Sequence, residues 1–334
     1  MECSWPVTNL STVATLRSGH PFRSADWLDR GVPVIKIANI KGGRVLREGC
    51  GYVSEEVAAS VSQWMTRDGD VLIAMNGYVG EVALVRLGER FLVNQRVGRF
   101  EFREDSPVRP EFLFYYLQIP EVRATIEEMA RGSAQPNLSA RDASALIVPV
   151  PPKETQASII EIGKSLDDRI DNLRETNATL EAIAQALFKS WFVDFDPVRA
   201  KAEGREPEGM DPATAALFPS EFEDSELGPI PKGWQVDQIG KLVSCLGGTT
   251  PSTKDESFWQ DGVHHWATPK DLSGLQSPVL VDTDRRITDA GLSKISSGLL
   301  PAGTLLLSSR APIGYLAISA VPTAINQGFI AMPP

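Results

Sequence analysis

The sequence predicts an α+β fold, in which two similar mixed α/β domains are separated by one long helix. Three observations predict it. First, the stretch from Pro152 to Phe195 carries apolar residues alternately four and three positions apart, the heptad pattern of a coiled-coil helix. Second, the stretches before and after it contain short β-branched runs that end at turn residues, as strands do. Third, motifs of the first stretch recur in the same order after the helix, which indicates a duplicated domain.

Four segments are predicted along the chain. They are a first domain over residues 1–151, a long spacer helix over 152–195, a linker over 196–229 and a second domain over 230–334. The linker is rich in Pro, Gly and acidic residues, so we expect little regular structure in it. The second copy lacks counterparts of the helix, loop and strand that close the first, so we expect it to be incomplete at its C-terminal end.

The first domain is predicted to alternate short strands and helices. Its expected elements are a strand or short helix in WPVTNLSTVATLRSG, a strand from Pro33 to Ile40, a helix capped by Ser54, a β-hairpin from Gly69 to Val85, a strand in FLVNQRVGRFEF and a helix from Pro110 to about Arg131.

The long helix is predicted to present an apolar seam to a partner helix. From Ile159 to Leu187 it would span roughly 42 Å at about 1.5 Å per residue. Gly163 and Asn177 fall at seam positions, where a polar residue sets register and partner orientation. The predicted seam residues are Ile159, Leu166, Ile170, Leu173, Asn177, Leu180, Ala184, Leu187 and Trp191.

The repeat is carried by residues that stay in register. Trp5 begins WPVTNLSTVATLRSG and Trp234 begins WQVDQIGKLVSCLGG, and both stretches close on Gly. Further matches follow in order: Gly31 with Gly262, Gly69 with Gly303, Gly80 with Gly314, and Asn94 and Gln95 with Asn326 and Gln327. Two similar domains joined by a rigid helix suit a reader of a two-part DNA site, and any other two-headed binder shares this arrangement.

The net charge of −10 does not exclude nucleic acid, because the acidity is local. Residues 151–230 hold 8 Lys and Arg against 17 Asp and Glu, whereas residues 1–150 hold 17 against 18. Residues 1–150 also use 15 Arg and only 2 Lys. Arg suits bidentate contacts with phosphate or guanine, although a GC-rich genome gives the same bias.

The chain carries no sequence motif of catalysis. It has no phosphate-binding loop, no dinucleotide-binding motif and no nucleophile elbow. Its three Cys and three His lack zinc-ligand spacing, so no metal site is expected. Asp194 and Asp196 form one neat carboxylate pair, which is either structural or metal-binding. No apolar run is long enough to span a membrane and no signal sequence is recognisable, so we expect a cytoplasmic protein.

Several strings resemble the specificity (S) subunit of type I restriction–modification systems. They are the opening WPVTNLSTVATLRSG, PKGWQVDQIGKLVSCLGGTTPSTK from Pro231, GSAQPNLS followed by IVPVPPKETQ, and LFKSWFVDFDPVRAKAEG from Leu187. The resemblance covers essentially the whole chain. It implies two target recognition domains, each reading one half of a split site in double-stranded DNA, and a helical spacer that binds modification (methyltransferase) subunits.

The resemblance also implies a non-catalytic chain that binds no cofactor itself. S-adenosylmethionine, ATP and Mg would serve the modification subunits and the restriction (motor and nuclease) subunit. Family members usually carry a second spacer helix after the second domain, whereas this chain ends at Pro334. We therefore expect truncation within the second target recognition domain and a spacer helix that pairs with a modification subunit or a second copy. The alternative is a scaffold or dimerising adaptor that binds partner subunits without directing complete bipartite recognition.

Candidate DNA contacts are loop residues with base-reading chemistry, because Asn and Gln pair with adenine and Arg pairs with guanine. Asn76 also suits a turn that needs positive φ, and Asn94 and Gln95 also suit a role in pinning a strand. The candidates in the first domain are His20, Arg23, Lys41, Arg44, Asn76, Tyr78, Asn94, Gln95, Arg96, Ser133, Gln135 and Asn137. Those in the second are Thr249, Thr250, Ser252, Lys270, Arg310 and Gln327.

Overall fold

The computed structural model describes residues 5–130, 136–275, 277–310 and 312–334. The chain forms two compact units, Met1–Ile183 and Ala184–Pro334. Each combines short strands with helices, and the two units contain repeated domains, so the predicted α+β class with a duplicated domain is confirmed.

The strands of the first unit are short, each between two and six residues long. They are β1 Val7–Asn9, β2 Ala14–Ser18, β3 Val32–Ile35, β4 Ile40–Lys41, β5 Arg44–Val45, β6 Gly51–Val53, β7 Val71–Ala74, β8 Val82–Leu84, β9 Leu92–Val93, β10 Val97–Phe102 and β11 Ile147–Pro149. Its helices are α1 Leu10–Val13, α2 Glu55–Ser60, α3 Pro110–Leu117, α4 Pro120–Met129, α5 Ala140–Ser144 and the long α6 Lys153–Phe192, which continues into the second unit.

The first unit contains two larger sheets beside the two-stranded pairs β1-β11 and β4-β5. One has the strand order β2-β10-β7-β8 and is antiparallel, and the other has the order β6-β3-β9 with β3 and β9 parallel. Helix α3 covers the first sheet with four buried side chains, Phe112, Leu113, Phe114 and Leu117. This apolar layer packs with buried side chains of β2, β7 and β10.

Two predicted elements of the first unit are divided in the structure. The stretch FLVNQRVGRFEF forms β9 and β10 with a turn at Asn94 between them. Val97 N donates a hydrogen bond to Asn94 O at 2.9 Å and closes this turn. The helix predicted from Pro110 forms α3 and α4, which are separated before Pro120. Proline disfavours helical geometry in the residue before it, here Ile119, whose backbone is extended.

Helix α6 lies against the first domain through one narrow stripe of residues. Gln156 is buried; its Nε2 donates to Pro107 O at 2.8 Å and its Oε1 accepts from Arg109 N at 2.9 Å. Ile160 belongs to the core, and a Cβ on Gly163 would lie 2.5 Å from the Tyr115 ring. Gly163 therefore contacts the domain, and the prediction that it occupies a seam position for a partner helix is wrong.

The predicted seam runs along a different side of α6. Ile159 packs against the core of the first unit, whereas Leu166 is 61% exposed and Leu180 is 58% exposed. Heptad positions drift by about 20° per repeat around an ideal α-helix, so a seam that begins beside the domain turns away from it. Exposed seam residues are Leu166, Ile170, Leu173, Asn177, Leu180, Ala184 and Leu187, and Trp191 is half-buried.

The second unit repeats the strand pattern of the first. Its helices after α6 are α7 Asp196–Ala202, α8 Pro212–Ala216, α9 Ile239–Leu242, α10 Pro269–Ser273 and α11 Asp289–Leu292. Its strands are β12 Phe222–Ser225, β13 Gly228–Pro231, β14 Leu246–Gly247, β15 His264–Ala267, β16 Val279–Leu280, β17 Arg285–Ile287, β18 Leu305–Ser308, β19 Leu316–Ser319, β20 Thr323–Ile325 and β21 Phe329–Met332.

The segment from 196 to 229 holds more regular structure than its composition predicts. It contains α7, α8 and β12, and β13 begins at Gly228. Val198 and Phe218 are buried, and Lys201 Nζ donates to Ala215 O at 3.1 Å. The expectation of little regular structure was wrong, because Phe218 packs on the aromatic side chains of Trp191 and Trp234 and Val198 is buried.

Candidate nucleic-acid interface

Two loops of the first unit are held together where β2 and β9 end. His20 N donates to Val93 O at 2.8 Å, and Gln95 N donates to His20 O at 3.0 Å. The backbones approach so closely that a Cβ on Gly19 would lie 2.2 Å from Val93 O. A glycine is therefore required for this contact, since a side chain would collide with backbone.

A third and a fourth segment join the same end of the sheet. Met75 N, at the tip of the β7–β8 hairpin, donates to Arg96 O at 3.0 Å, and Leu138 N donates to Met75 O at 2.8 Å. Asn76 and Asn137 face each other in an isolated antiparallel bridge. The structure thus brings four loops, which are distant in sequence, into one continuous surface.

We call this surface loop surface 1 and define it by the candidate residues His20, Asn76, Tyr78, Asn94, Gln95, Arg96 and Asn137. Tyr78 is 65% exposed, and Gln95 and Arg96 are also exposed. The surface offers amide groups, a guanidinium group and an aromatic ring, which are the groups that read base edges and stack on bases. Ser133 and Gln135 lie outside the described residues.

Asn94 holds the turn of loop surface 1 in shape. Its Oδ1 accepts a hydrogen bond from Arg96 N at 3.3 Å, and in the second unit Asn326 Oδ1 accepts from Gly328 N at 2.8 Å. Side-chain amides that bond their own backbone two residues on stabilise turns. The structure therefore places the exposed neighbour Gln95, rather than Asn94, in the position to contact a ligand.

His20 lies between two aromatic rings. Its ring centroid is 4.9 Å from that of Phe22 and 4.9 Å from that of Trp64, and Trp64 Nε1 donates to Ser18 O at 3.1 Å. Sequence reasoning missed Trp64, because nothing near it in sequence indicates contact with residues 18–20. The packing fixes the His20 ring beside the loop surface.

Arg44 and Lys41 belong to the β4–β5 hairpin, and Arg44 is committed to a different contact. The guanidinium of Arg44 forms an ion pair with Asp171 of α6, as does that of Arg86. The side chain of Asp171 is only 9% exposed. Lys41 is exposed to solvent. Of these two candidates, therefore, Lys41 is available to a ligand, whereas Arg44 binds helix α6.

Arginines of the first unit divide into ion-paired and unpaired groups. Arg99, which is buried, contacts Glu101 at 3.0 Å, and Arg17 contacts the same carboxylate at 3.1 Å. Burial raises the pKa of Glu101, but hydrogen bonds from Arg99 and Arg17 outweigh it and leave that pKa below its usual value. Exposed Arg23 and Arg96 make no ion pair with a described residue, so their charge is available to a ligand.

The second unit builds the corresponding surface, loop surface 2. A Cβ on Gly248 would lie 1.9 Å from Ile325 O, and Thr249 N donates to Ile325 O at 3.1 Å. Thr250 Oγ1 donates to Gln327 Oε1 at 2.5 Å. Loop surface 2 contains the predicted residues Thr249, Thr250, Arg310 and Gln327.

Two other candidates of the second unit, Ser252 and Lys270, make contacts of their own. Lys270 Nζ is 3.1 Å from Asp284 Oδ2, in an exposed ion pair. Ser252 O accepts a hydrogen bond from Trp259 Nε1 at 2.9 Å. Within the described residues, neither side chain is hydrogen-bonded to the four that form loop surface 2.

Sequence reasoning missed the contacts that seat α6 on the domain. Asp167 and Asp171 were not among the predicted contacts, yet Asp167 Oδ2 accepts a 2.9 Å hydrogen bond from Tyr115 Oη. The signal was present as Gln156, Ile160 and Gly163, which recur every three or four positions together with the two aspartates. Polar and small residues in such a stripe are easily overlooked beside an apolar seam.

No group of acidic, Cys or His side chains that could hold a metal ion occurs in the described part of the chain. Among the helices formed by the same residues, none is long and apolar enough to cross a membrane.

Comparison with known proteins identifies relatives for both units. A family model described as "Type I restriction modification DNA specificity domain" matches residues 3–182 and 231–334. The chain is 31% identical over 261 residues to the type I restriction enzyme HindI specificity subunit of Haemophilus influenzae, covering 66% of this chain and 56% of the relative. It is 42% identical over 110 residues to the MjaIX specificity subunit of Methanocaldococcus jannaschii, covering 33% of this chain and 25% of the relative.

The matched part thus spans about half, or less, of the length of these curated relatives. Among solved structures, the type I restriction–modification S subunit from M. genitalium aligns over 100% of this chain and 73% of that one. Its TM-score is 0.46 at 13% identity.

Proposed function

Since the chain belongs to the family of type I restriction–modification DNA specificity proteins, we propose that it selects the DNA sequence on which such a complex acts. In this proposal each unit reads one half of a bipartite site in double-stranded DNA. The chain contributes recognition and assembly, and the reaction chemistry belongs to its partners. S-adenosylmethionine, ATP and Mg²⁺ are then required by the modification and restriction subunits.

The observation that carries the proposal is one backbone arrangement that occurs twice and displays different side chains. Parallel pairing of β3 with β9 recurs as β15 with β20, and the order β2-β10-β7-β8 recurs as β14-β21-β18-β19. The exposed loops of the two units differ in sequence. Two rigid platforms with different reading residues suit two different half-sites.

The charge distribution supports DNA as the ligand of the loop surfaces. Arg96 in loop surface 1 and Arg310 in loop surface 2 are exposed and unpaired among the described residues, as is Arg23 outside the defined surface. Phosphate oxygens attract such groups, and guanine accepts their bidentate hydrogen bonds. The acidic excess lies in residues 151–230, away from both loop surfaces in sequence.

Helix α6 is proposed as the docking element for modification subunits. Its seam exposes Leu166, Ile170, Leu173 and Leu180 to solvent, at spacings that suit a partner helix. Contiguous exposed leucines on a helix are a mark of protein–protein contact. A partner helix laid along this seam would bury them.

The test is to express the chain with its methyltransferase partner and to map methylated adenines in the host genome. The expected result is one split motif with two defined halves and a fixed gap. A control expression of the partner alone should leave the genome unmethylated. Absence of any motif from a complex that is assembled and binds S-adenosylmethionine would reject the proposal.

The exposed seam also supports a second candidate, a dimerising adaptor that occupies partner subunits without directing complete recognition. In that case the isolated chain should sediment as a dimer at micromolar concentration, and the partner complex should methylate no bipartite site. Sedimentation as a monomer, together with a split motif in the genome, would decide for the first candidate.

A further inference from the structure

The tips of the two long hairpins have the same backbone hydrogen bonds. In the first unit Gly80 N donates to Ala74 O at 3.2 Å, and in the second Gly314 N donates to Ser308 O at 3.0 Å. The two glycines have φ values of 87° and 90°. Each tip is therefore closed by the same positive-φ glycine, in a conformation that other residues rarely adopt.

The tips are also attached to the neighbouring turn in the same way. Met75 N donates to Arg96 O at 3.0 Å, and Ser309 N donates to Gly328 O at 2.8 Å. These bonds align residue 75 with 309 and residue 96 with 328. Asn76 and Arg310 are consequently equivalent residues. Each directly follows a residue, Met75 or Ser309, whose backbone N–H is hydrogen-bonded to the neighbouring turn.

The side chains of Asn76 and Arg310 are available for an external partner. Arg310 is exposed and Asn76 is half-buried at the rim of its tip. Within the described residues, neither side chain makes a hydrogen bond or an ion pair. By contrast, Arg17, Arg99 and Arg123 are all ion-paired within the first unit.

The chemistry differs at this anchored position, and the adjacent turn keeps its Asn-Gln pair in both units but carries Arg96 in the first and Gly328 in the second. Gln95 and Gln327 are both exposed, so they give the two surfaces the same group. Asn pairs bidentately with the N6 and N7 edge of adenine, and Arg pairs with the O6 and N7 edge of guanine. A position next to an anchored backbone N–H that carries an amide in one unit and a guanidinium in the other is suited to distinguish the half-sites.

We propose that Asn76 and Arg310 are specificity-determining residues at equivalent places, Asn76 contacting an adenine in one half-site and Arg310 a guanine in the other. The proposal rests on the proposed function and deepens it. It assigns a base class to one residue in each unit.

The test exchanges the two residues in the complete complex with its methyltransferase. Asn76→Arg should replace an adenine preference by a guanine preference at one position of one half-site and leave the other half-site unchanged. Arg310→Asn should do the reverse in the other half-site. Discrimination at each changed position should shift by at least about tenfold, as expected for one bidentate base contact. Methylated sites are read by genome sequencing.

Arg90→Asn is the matched control, because Arg90 is exposed and lies after β8, at the end of the β7–β8 hairpin that is opposite to Asn76. It should leave the motif unchanged. Wild-type motifs in both exchange variants would overturn the inference and leave the proposed function intact. Lack of any motif in the wild-type complex would count against the proposed function instead.

Asn76→Ala decides the outcome if the larger Asn76→Arg change abolishes methylation. A motif that becomes degenerate at one position of one half-site supports base contact. An unchanged motif, or an equal loss of methylation at every sequence, overturns it, because a general loss indicates a role in folding or in binding phosphate.

Discussion

Tyr115 Oη donates a 2.9 Å hydrogen bond to Asp167 Oδ2, so the domain of the first unit is bonded directly to its own long helix. One turn further along, Asp171 pairs with Arg44 from the β4–β5 hairpin and with Arg86 from the loop after β8. Three separate parts of the domain therefore hold the same helix. These contacts fix the start of α6 against the domain of the first unit.

Replacing Asp171 by Asn should destabilise the first unit. The change removes the charge that the guanidinium groups of Arg44 and Arg86, and more distantly that of Arg174 at 3.8 Å, share in a site where the carboxylate is 9% exposed. Breaking a fully buried pair costs about 3–5 kcal/mol, and because Arg86 is 43% exposed we expect a smaller loss, about 2 kcal/mol. Urea unfolding followed by circular dichroism measures it.

Asp168→Asn is the control for that experiment, since Asp168 is the exposed acidic neighbour on α6. It should change the free energy of unfolding by less than about 0.5 kcal/mol. Equal effects of the two substitutions would show that the ion pairs of Asp171 contribute nothing specific.

Stability at alkaline pH should depend on Tyr115. Burial, followed by the hydrogen bond to Asp167, raises the pKa of Tyr115. A raised pKa in the folded state gives a stabilisation that is complete below the unfolded value of about 10 and is lost as pH rises through the folded value. The free energy of unfolding of the wild type should therefore fall above about pH 10 more steeply than that of Tyr115→Phe.

Tyr78→Phe is the comparison for the tyrosine experiment, because Tyr78 is 65% exposed and its hydroxyl has no partner among the described residues. Its alkaline profile should follow the wild type. At neutral pH, Tyr115→Phe should itself cost about 1 kcal/mol for the lost hydrogen bond. Parallel profiles for wild type and Tyr115→Phe at high pH would contradict the expectation.

Gly248→Ala should disrupt loop surface 2. A Cβ there would lie 1.9 Å from Ile325 O, and backbone cannot move aside as a flexible side chain can. We expect a loss of about 1–3 kcal/mol or more. Gly240→Ala, where a Cβ meets nothing within 4 Å, is the matched control and should be close to neutral. Equal tolerance of the two changes in thermal unfolding would argue against the close approach.

Elements with local signals could be predicted from the sequence. Ser54 marks the start of α2, and its Oγ accepts a hydrogen bond from Val57 N at 3.2 Å. The hairpin from Gly69 to Val85 was recognisable because two apolar runs flank a turn, and β7 and β8 pair there. Such signals act over a few residues and survive in any fold.

Contacts between distant segments could not be predicted in the same way. Arg44 has base-reading chemistry and lies in a loop, and only the fold shows that Asp171 neutralises it. The grouping of His20, Asn76, Gln95 and Asn137 depends on how β2, β7, β9 and the residues before α5 meet in space. The sequence shows which residue types are present, but which of them lie side by side in space follows only from tertiary packing.

The seam of α6 gives the last prediction. Changing Leu173 and Leu180 together to Glu places two charges where a partner helix would bury apolar side chains. Complete burial of each leucine would contribute about 1.5–3 kcal/mol to the free energy of association. We expect co-purification of the modification subunit, and any self-association, to be lost. Ala182→Glu is the control, because position 182 lies about 200° around the helix from Leu180. Unchanged assembly of the double variant would show that partners bind α6 elsewhere.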